Sequence, residues 1–554
     1  MFLTASLSAR DMALNPSQSR LSNSVWGARS TPNNSPFARS NTIKASPTKS
    51  TRADAGLSLR HVIGTTANSS NAISTHHSSR SLAFIAGAAA VLATFDEHLK
   101  VSQRFYRARP TAIPLNPTPV VYSPSTPVTP GADLRTRAAV SLRDAGATGS
   151  PYGTPTGDWA DSPGGKPWSA RERVKAATCV SLSPDGKYLA VGETGYKPRV
   201  LIFSTSKESS SDAPLTCLPD HTFGVRAVAF SPDSQYLATL GAANDGYLYI
   251  WKINNRNGAA TLFASNKCTS NISQIAWMGK SVVTVGTRHV KIWRVEGSSS
   301  VSTPVKATTT ASPACFHRIL YGRNCLLNEL IESIFAAVVA ISPTKAIVCS
   351  ESGDICLLDD STGNQLFTKV GHVDFGVTAI CRDVQDNVLV TGREGSIRSI
   401  SCRRFLDGQN VGHLERQLPE GAPLSIPTAL IALAPLDDHI VAVDASRFIK
   451  LIKPPSEDTE ALPDVKLRLP AHGGPVLGVR PCATSDRDDI AFFTWSAEGT
   501  ILFWTQNGVC KRIVNVELEQ ADSADDGTIN ELRVVRSFSK GRKLITGDKY
   551  GVLR

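Results

Sequence analysis

Short apolar runs closed off by polar turns recur along the chain from Ala176 onward. The segment LSPDGKYLAVG, Leu182 to Gly192, returns 48 residues later as FSPDSQYLATLG. Each copy predicts a strand, a Ser-Pro-Asp turn and a second strand, followed by a third apolar run that ends in an aromatic: RVLIF at Arg199 to Phe203 and YLYIW at Tyr247 to Trp251. The pattern continues in SVVTVGTRHVKIW (Ser281 to Trp293), AIVCSESGDICLL (Ala346 to Leu358) and VLVTGREGSIRSI (Val388 to Ile400). In the last of these, Glu394-Gly395 reads as a two-residue hairpin turn in which Gly supplies a positive φ. IVAVDASRFIKLI (Ile440 to Ile452) is a fainter copy, and DIAFFTWSAEGTILFW (Asp489 to Trp504) a clear one.

A period of 40 to 50 residues carrying this content is the mark of a β-propeller blade. One blade cannot bury both its faces alone, so the units must stack around an axis. Before the clear copies, Leu82 to Phe95 holds the longest apolar run, 14 residues broken by Gly87. It is too short to span a bilayer and predicts two core strands joined at the glycine. Counting this segment first gives eight blade-like units before Gln506, and a ninth begins at Leu532 and reaches Arg554 within its third strand. The expected architecture is all-β: a propeller of about seven closed blades and the start of a second one that is cut short.

Between and around these units lie stretches without periodic apolar residues. The expected division is a disordered basic Ser/Thr-rich tail over 1–56, a first blade-like unit over 57–108 and a disordered Pro-rich insertion over 109–173. A propeller over 174–516 comes next, then a linker and incomplete blade over 517–554. In the insertion, PTAIPLNPTPVVYSPSTPVTP has prolines that deny ladder hydrogen bonds and favour extended chain.

Composition agrees with a turn-rich globular chain: 41% hydrophobic residues, with 40 Gly and 33 Pro in 554 residues. The formal charge of +11 is uneven, since Met1 to Gly56 holds seven Lys or Arg against two acids, Asp11 and Asp54. Such a tail could meet an acidic surface such as a microtubule, a membrane or nucleic acid, although a solvated disordered tail is the favoured reading. The first thirty residues are rich in Ser and Arg as transit peptides are, but Asp11 and Pro16 interrupt any amphipathic helix. All eleven cysteines lie at or beyond Cys179 with no C-x-x-C pair, which argues against a zinc site or a disulfide framework and for buried free thiols in a reducing compartment.

Candidate chemistry is sparse. No phosphate loop, G-x-S-x-G elbow or H-E-x-x-H occurs, so no catalytic residue, cofactor or metal site is expected. Asp185 and Asp233 sit in the Ser-Pro-Asp turns as turn formers. CLLNELIESIF, Cys325 to Phe335, places its apolar residues at helical intervals and predicts a short helix packed on the propeller. Ser-Pro and Thr-Pro pairs gather outside the blades. Ser46, Thr118, Ser123 and Thr126 are candidates for phosphorylation by proline-directed kinases, each phosphate adding about −1.5 to −2 charge.

His221 precedes Trp251 by 30 residues with Asp245 in the turn between; His472 precedes Trp504 by 32 with Thr494, Ser496 and Glu498 between. This set resembles the internal hydrogen-bond network of WD40 blades, and the expected role of His221, Asp245, Trp251, His472 and Trp504 is to hold the blade together. The likeness extends further. GETGYKPRVLIF, DHTFGVRAVAFSPDSQYLATLG, SNKCTSNISQIAW and VTVGTRHVKIW, in that order, resemble the N-terminal repeats of the mitogen-activated-protein-kinase-binding WD40 proteins. LRHVIGTTANSSNAIS (Leu59 to Ser74) and YGRNCLLNELIESIF (Tyr321 to Phe335) extend the match. The resemblance implies two tandem seven-bladed propellers and a long tail that binds kinases and dimerises, with one paralogue acting at spindle poles.

The chain departs from that plan in its Pro-rich insertion. It also carries Lys252, Arg294 and Thr505 where many repeats show Asp after Trp, and it stops where the second propeller should start. Kinase docking by the missing tail is therefore not carried over. The expectation is a non-enzymatic cytoplasmic scaffold that binds proteins, kinases or cytoskeletal proteins among them, with no small-molecule substrate and no membrane contact. Two alternatives stand beside it: a substrate receptor of a ubiquitin ligase, against which the absent W-D-x-R signature counts, and microtubule or nucleic-acid binding through the basic tail, nucleic acid being disfavoured.

Overall fold

The runs that succeed the Ser-Pro-Asp turns become second strands, Tyr188–Glu193 and Tyr236–Gly241, and every residue of both is buried. A strand covered on both faces lies inside a stack of sheets, which is why its sequence is a continuous apolar run and not an alternation. The computed structural model describes residues 2–5, 59–108, 112–116, 174–295, 318–415, 428–482, 489–518, 530–538 and 543–554. Among them, eight sheets of four or five strands succeed one another along the chain, antiparallel but for a parallel fifth strand at the edge of the third and of the fifth.

The first sheet comprises Ile73–His76, Ser81–Ala86, Ala89–Phe95 and Val101–Tyr106. Its middle pair is the predicted strand-Gly-strand unit. The second runs Ala177–Leu182, Tyr188–Glu193, Val200–Ser204 and Thr216–Leu218, and the third Val225–Phe230, Tyr236–Gly241, Tyr247–Ile253 and Ala260–Lys267. The fourth and fifth begin at Ile272–Met278 and Phe335–Ala340, the sixth and seventh at Val377–Arg382 and Leu430–Leu436, and the eighth at Val476–Pro481. Chain order equals pairing order in the first four strands of the first, second, third, fifth and eighth sheets. Hence the link between second and third strands lies at the same sheet end as the link into the next sheet, and the Ser-Pro-Asp turns lie at the other end.

Apolar clusters join neighbours in turn. Tyr188 and Ile202 of the second sheet pack with Trp251 of the third, and Leu240 of the third with Trp277 and Trp293 of the fourth. Further clusters tie fourth to fifth, fifth to sixth and sixth to seventh. The largest cluster then brings Val441, Val443 and Leu451 of the seventh sheet together with Leu82, Phe84 and Val91 of the first and Leu189 of the second. Polar contacts cross the same seam: the Asp437 backbone N–H donates to His77 Nδ1 at 3.1 Å, and Arg80 pairs with the Asp437 carboxylate at 2.6 Å.

The eighth sheet shares its core with the C-terminal hairpin. Phe493, Trp495 and Phe503 pack on Leu532 and Val535 of this hairpin, whose strands are Leu532–Phe538 and Lys543–Asp548. Trp504 of the eighth sheet meets Ile63, from the strand Leu59–Ile63 that pairs with Phe2–Ala5.

Two segments differ from expectation. Only Asn328–Leu330 of the predicted helix forms, as a single 3-10 turn, and Phe335 already opens a strand. The helical spacing has a different origin: Leu327 and Leu330 pack on the core between the fourth and fifth sheets, while Leu326 and Ile331 point to solvent. The Pro-rich insertion returns to the fold early, since Asn116 bridges Thr216 at the outer edge of the second sheet and its side chain donates to the Asn257 carbonyl at 2.8 Å. No helix of the described residues is long and apolar enough to cross a membrane.

Candidate partner-binding face

The third sheet brings His221, Asp245 and Trp251 together through Thr239, a residue that no sequence motif marks. His221 lies just before the first strand, Thr239 in the second, Asp245 in the turn after it and Trp251 in the third. The indole N–H of Trp251 donates to Thr239 Oγ1 at 3.1 Å, and that hydroxyl lies 3.0 Å from His221 Nε2. On the far side of the ring, Nδ1 meets Asp245 Oδ2 at 2.7 Å. A hydroxyl that accepts from the indole has its own proton for Nε2, which leaves Nδ1–H to donate to the carboxylate. Burial opposes the charge on Asp245, but hydrogen bonds from His221 and from the Thr222 and Phe223 backbones outweigh it and hold the carboxyl below its ordinary pKa. His221 is only 2% exposed, and its ring links the second strand to the turn beyond it from within the sheet.

Two further sheets use the same device with different parts. In the eighth, His472 Nε2 lies 2.7 Å from Thr494 Oγ1, which also accepts from Trp504 at 2.8 Å. His472 Nδ1 is buried with no hydrogen-bond partner among the described residues, the carboxylate of the third sheet having no counterpart. The fourth sheet holds a network that the His-to-Trp spacing does not reveal: Trp293 donates to Thr284 at 3.0 Å and His289 Nε2 meets the same hydroxyl at 2.9 Å. There the histidine comes from the start of the third strand, so a search for His ahead of the first strand could not find it; the Thr and Trp in SVVTVGTRHVKIW were the available signal. Burial pushes both His289 and His472 down to about 4.

Four of the five remaining sheets pin the same end with other chemistry. Glu193 holds Arg199 in a two-pronged pair at 2.7 and 2.9 Å in the second sheet, and Ser350 donates to Asp354 at 3.0 Å in the fifth. Thr391 donates to the Ser396 carbonyl at 2.7 Å in the sixth, and Asp444 pairs with Lys450 at 2.8 Å in the seventh. At the opposite end, the Ser-Pro-Asp turns close as expected: Ser183 Oγ donates to Asp185 at 2.6 Å and accepts from the Tyr188 N–H at 2.9 Å, with Ser231 and Asp233 doing likewise.

What the third-sheet network positions is a loop with an exposed aromatic. The link 219–224 is laced to the second-to-third strand link of the second sheet: Gly224 N–H donates to the Gly195 carbonyl and Lys197 N–H to that of Thr222, each at 2.8 Å. Tyr196 and Phe223 thus stand side by side, ring centroids 5.9 Å apart, at 64% and 45% exposure, with the Lys197 ammonium 5.5 Å from the Tyr196 ring. Large aromatics held outward on ordered backbone are the residue type that anchors protein interfaces.

The ten described cysteines are all free, eight of them buried, as expected of thiols in strands. Burial raises the Cys179 and Cys356 thiols to about 12, which makes them inert at neutral pH. The candidate phosphorylation sites Ser46, Thr118, Ser123 and Thr126 lie outside the described residues.

Successive sheets built on four antiparallel strands, seven of the eight locked by a polar pin near the end of the second strand, define a WD40-repeat β-propeller protein. The family model for the WD domain, G-beta repeat, matches residues 212–252, which take in the outer strand of one sheet and three strands of the next. Among relatives, the chain is 31% identical over 193 residues to mouse mitogen-activated protein kinase-binding protein 1, covering 34% of this chain and 11% of that protein. It is 32% identical over 240 residues to mouse WD repeat-containing protein 62, covering 42% and 14%. It is 24% identical over 264 residues to cilia- and flagella-associated protein 52 of Chlamydomonas reinhardtii, covering 46% and 37%. The resemblance to the kinase-binding WD40 proteins is thus carried by similar relatives, and the matches span well under half of each relative's length.

Proposed function

We propose that this chain is a non-enzymatic scaffold whose docking surface is the face bearing Tyr196 and Phe223, and that a mitogen-activated protein kinase is among its partners. The observation that carries the reading is the aromatic pair on a loop fixed from below by the His221 network, an anchor prepared before binding, so that little ordering entropy opposes association. The relative named for kinase binding supports the class of partner. A second reading, association with ciliary or other cytoskeletal structures in the cytoplasm, is favoured by the similarity to cilia- and flagella-associated protein 52. Spindle-pole residence rests on the sequence resemblance alone.

The scaffold in this proposal is a closed ring of the first seven sheets, with the eighth sheet and the C-terminal hairpin starting a second unit. Support comes from the packing of the seventh sheet on the first and from the separate core around Phe493 and Leu532. The border between units would then fall between Arg468 and Val476, ahead of the border at 516 expected from composition.

The test is calorimetric titration of a purified MAP kinase into the wild-type chain and into the Tyr196→Ala, Phe223→Ala double variant. The reading expects binding by the wild type and a loss of at least tenfold in the variant, about 1.4 kcal/mol or more. Equal affinity for both proteins would overturn the docking face; absence of binding by the wild type would overturn the partner class.

A further inference from the structure

The geometry points to a transition-metal site, suited to Zn²⁺, built by His372, Asp374 and His413 at the edge of the fifth sheet. Asp354–Asp359 and Leu366–Val373 are the third and fourth strands of this sheet, and Gly412–Leu414 joins outside them as a parallel fifth strand. The register sets His372 directly opposite His413, and their rings stack at 5.4 Å with 9° between the planes. Asp374 lies two residues beyond His372, in the bend that follows the strand's end at Val373.

One ring nitrogen of each histidine and one oxygen of Asp374 lie within 4.8 Å of one another, and His413 Nε2 is already 3.0 Å from Asp374 Oδ1. Tetrahedral zinc with bonds of about 2.0 to 2.1 Å needs donor atoms roughly 3.3 Å apart, so the three close onto an ion through side-chain torsions alone. Two imidazoles and a carboxylate are a borderline donor set that favours zinc over calcium or magnesium.

A supporting shell is present as well. His372 Nδ1 meets Asp354 Oδ1 at 3.1 Å, so Nδ1–H donates to a carboxylate and Nε2 is left with a free lone pair. Asp354 is 6% exposed and is itself held in place by the Ser350 and Ser352 hydroxyls at 3.0 and 2.8 Å and by the Lys369 ammonium at 2.5 Å. Gly353, at φ +105°, makes the turn that aims Asp354, since a Cβ there would run into the Val373 carbonyl oxygen.

The metal would clip a segment that contributes just three strand residues to the sheet. Three protein donors leave a fourth position for water, and His413 is 57% and Asp374 35% exposed, so the site is open to ions from solution. The clip would fasten the polar edge strand Gly412–Leu414, which has little burial of its own and lies beyond the core anchors Cys402, Phe405 and Val411.

The test uses the full chain stripped with EDTA and titrated with Zn²⁺ by calorimetry, with Co²⁺ absorption as a direct report of nitrogen and oxygen ligation. The inference expects one ion per chain, a loss of more than a hundredfold in His413→Ala or Asp374→Asn, and about 10 to 100-fold weakening in Asp354→Asn, which removes only the orienting charge. His98→Ala, on an exposed histidine elsewhere, should bind as wild type. On the wild-type protein itself, Zn²⁺ should slow hydrogen exchange in peptides covering Gly412–Leu414 and EDTA should reverse this. Absence of stoichiometric binding, unchanged affinity in both the His413 and Asp374 variants, or exchange at 412–414 indifferent to zinc would each overturn the site.

Discussion

Thr239 carries two buried hydrogen bonds on one oxygen, to His221 Nε2 and to the indole nitrogen of Trp251, and it is the hydroxyl that both groups face. Thr239→Val keeps the shape and removes that hydroxyl, leaving a buried indole N–H and an imidazole nitrogen unmet. Urea denaturation should show a loss of about 2 to 4 kcal/mol, and a loss below about 0.5 kcal/mol would mean the network is incidental. The two histidines lowered to about 4 make a second prediction. Between their folded value and the ordinary 6.5 of an unfolded chain, the unfolded state binds more protons. Stability is therefore full above pH 6.5 and falls as pH drops toward 4. The urea midpoint should be lower at pH 5 than at pH 7.5, and the double variant His289→Gln, His472→Gln should show a smaller drop.

At the scale of the element, the second strands were the most legible part of the sequence. YLAVG, YLATLG and VVTVG are continuous apolar runs because each is covered on both sides, and a local pattern suffices to reveal that. Strands added at sheet edges left no such trace. Gly412–Leu414 pairs in parallel with a strand some 40 residues earlier, and Arg318–Ile319 does the same beside Ala260–Lys267. Neither is apolar enough to announce itself, since an outer strand is stabilised by ladder hydrogen bonds more than by burial. The helix expected at Cys325 to Phe335 fails for the complementary cause: Leu327 and Leu330 recur at helical spacing, yet the partner they pack on is a pair of sheets, which asks for one turn and no more.

The network residues show the same divide: His221, Asp245 and Trp251 were legible from spacing, whereas Thr239 lies inside an apolar run and His289 enters from a different strand. A prediction belongs at this scale. Gly353→Ala combines a left-handed φ with a Cβ driven into the Val373 carbonyl, and should cost about 3 kcal/mol in thermal or urea unfolding. A near-neutral result would contradict the turn geometry.

Across the whole molecule, the contact between the seventh and first sheets joins residues more than 350 positions apart, and no local pattern could show it. No strand is shared there: all four strands of the first sheet come from one stretch, 73–106, so the seam is held by side chains. Arg80 and Asp437 are 44% and 28% exposed, and an ion pair in water contributes little. Arg80→Ala should change stability by less than about 1 kcal/mol. Val441→Asp, which buries an unpaired charge in the apolar cluster, should prevent cooperative folding, read as loss of a single sharp melting transition. If the salt bridge proved the costlier loss, the seam would be electrostatic and the ring proposal would need revision.

The proposed scaffold has two ends of different character: Ser-Pro-Asp turns that pack from sheet to sheet at one, and pinned loops with outward aromatics at the other. Hydrogen–deuterium exchange on the chain with and without a bound MAP kinase tests that division most directly. Protection on binding is predicted to concentrate in peptides covering 194–199 and 220–226 and to spare the turns at 183–187 and 231–235. Protection centred on those turns, or a complex that leaves Tyr196 and Phe223 exchanging and exposed as before, would contradict it.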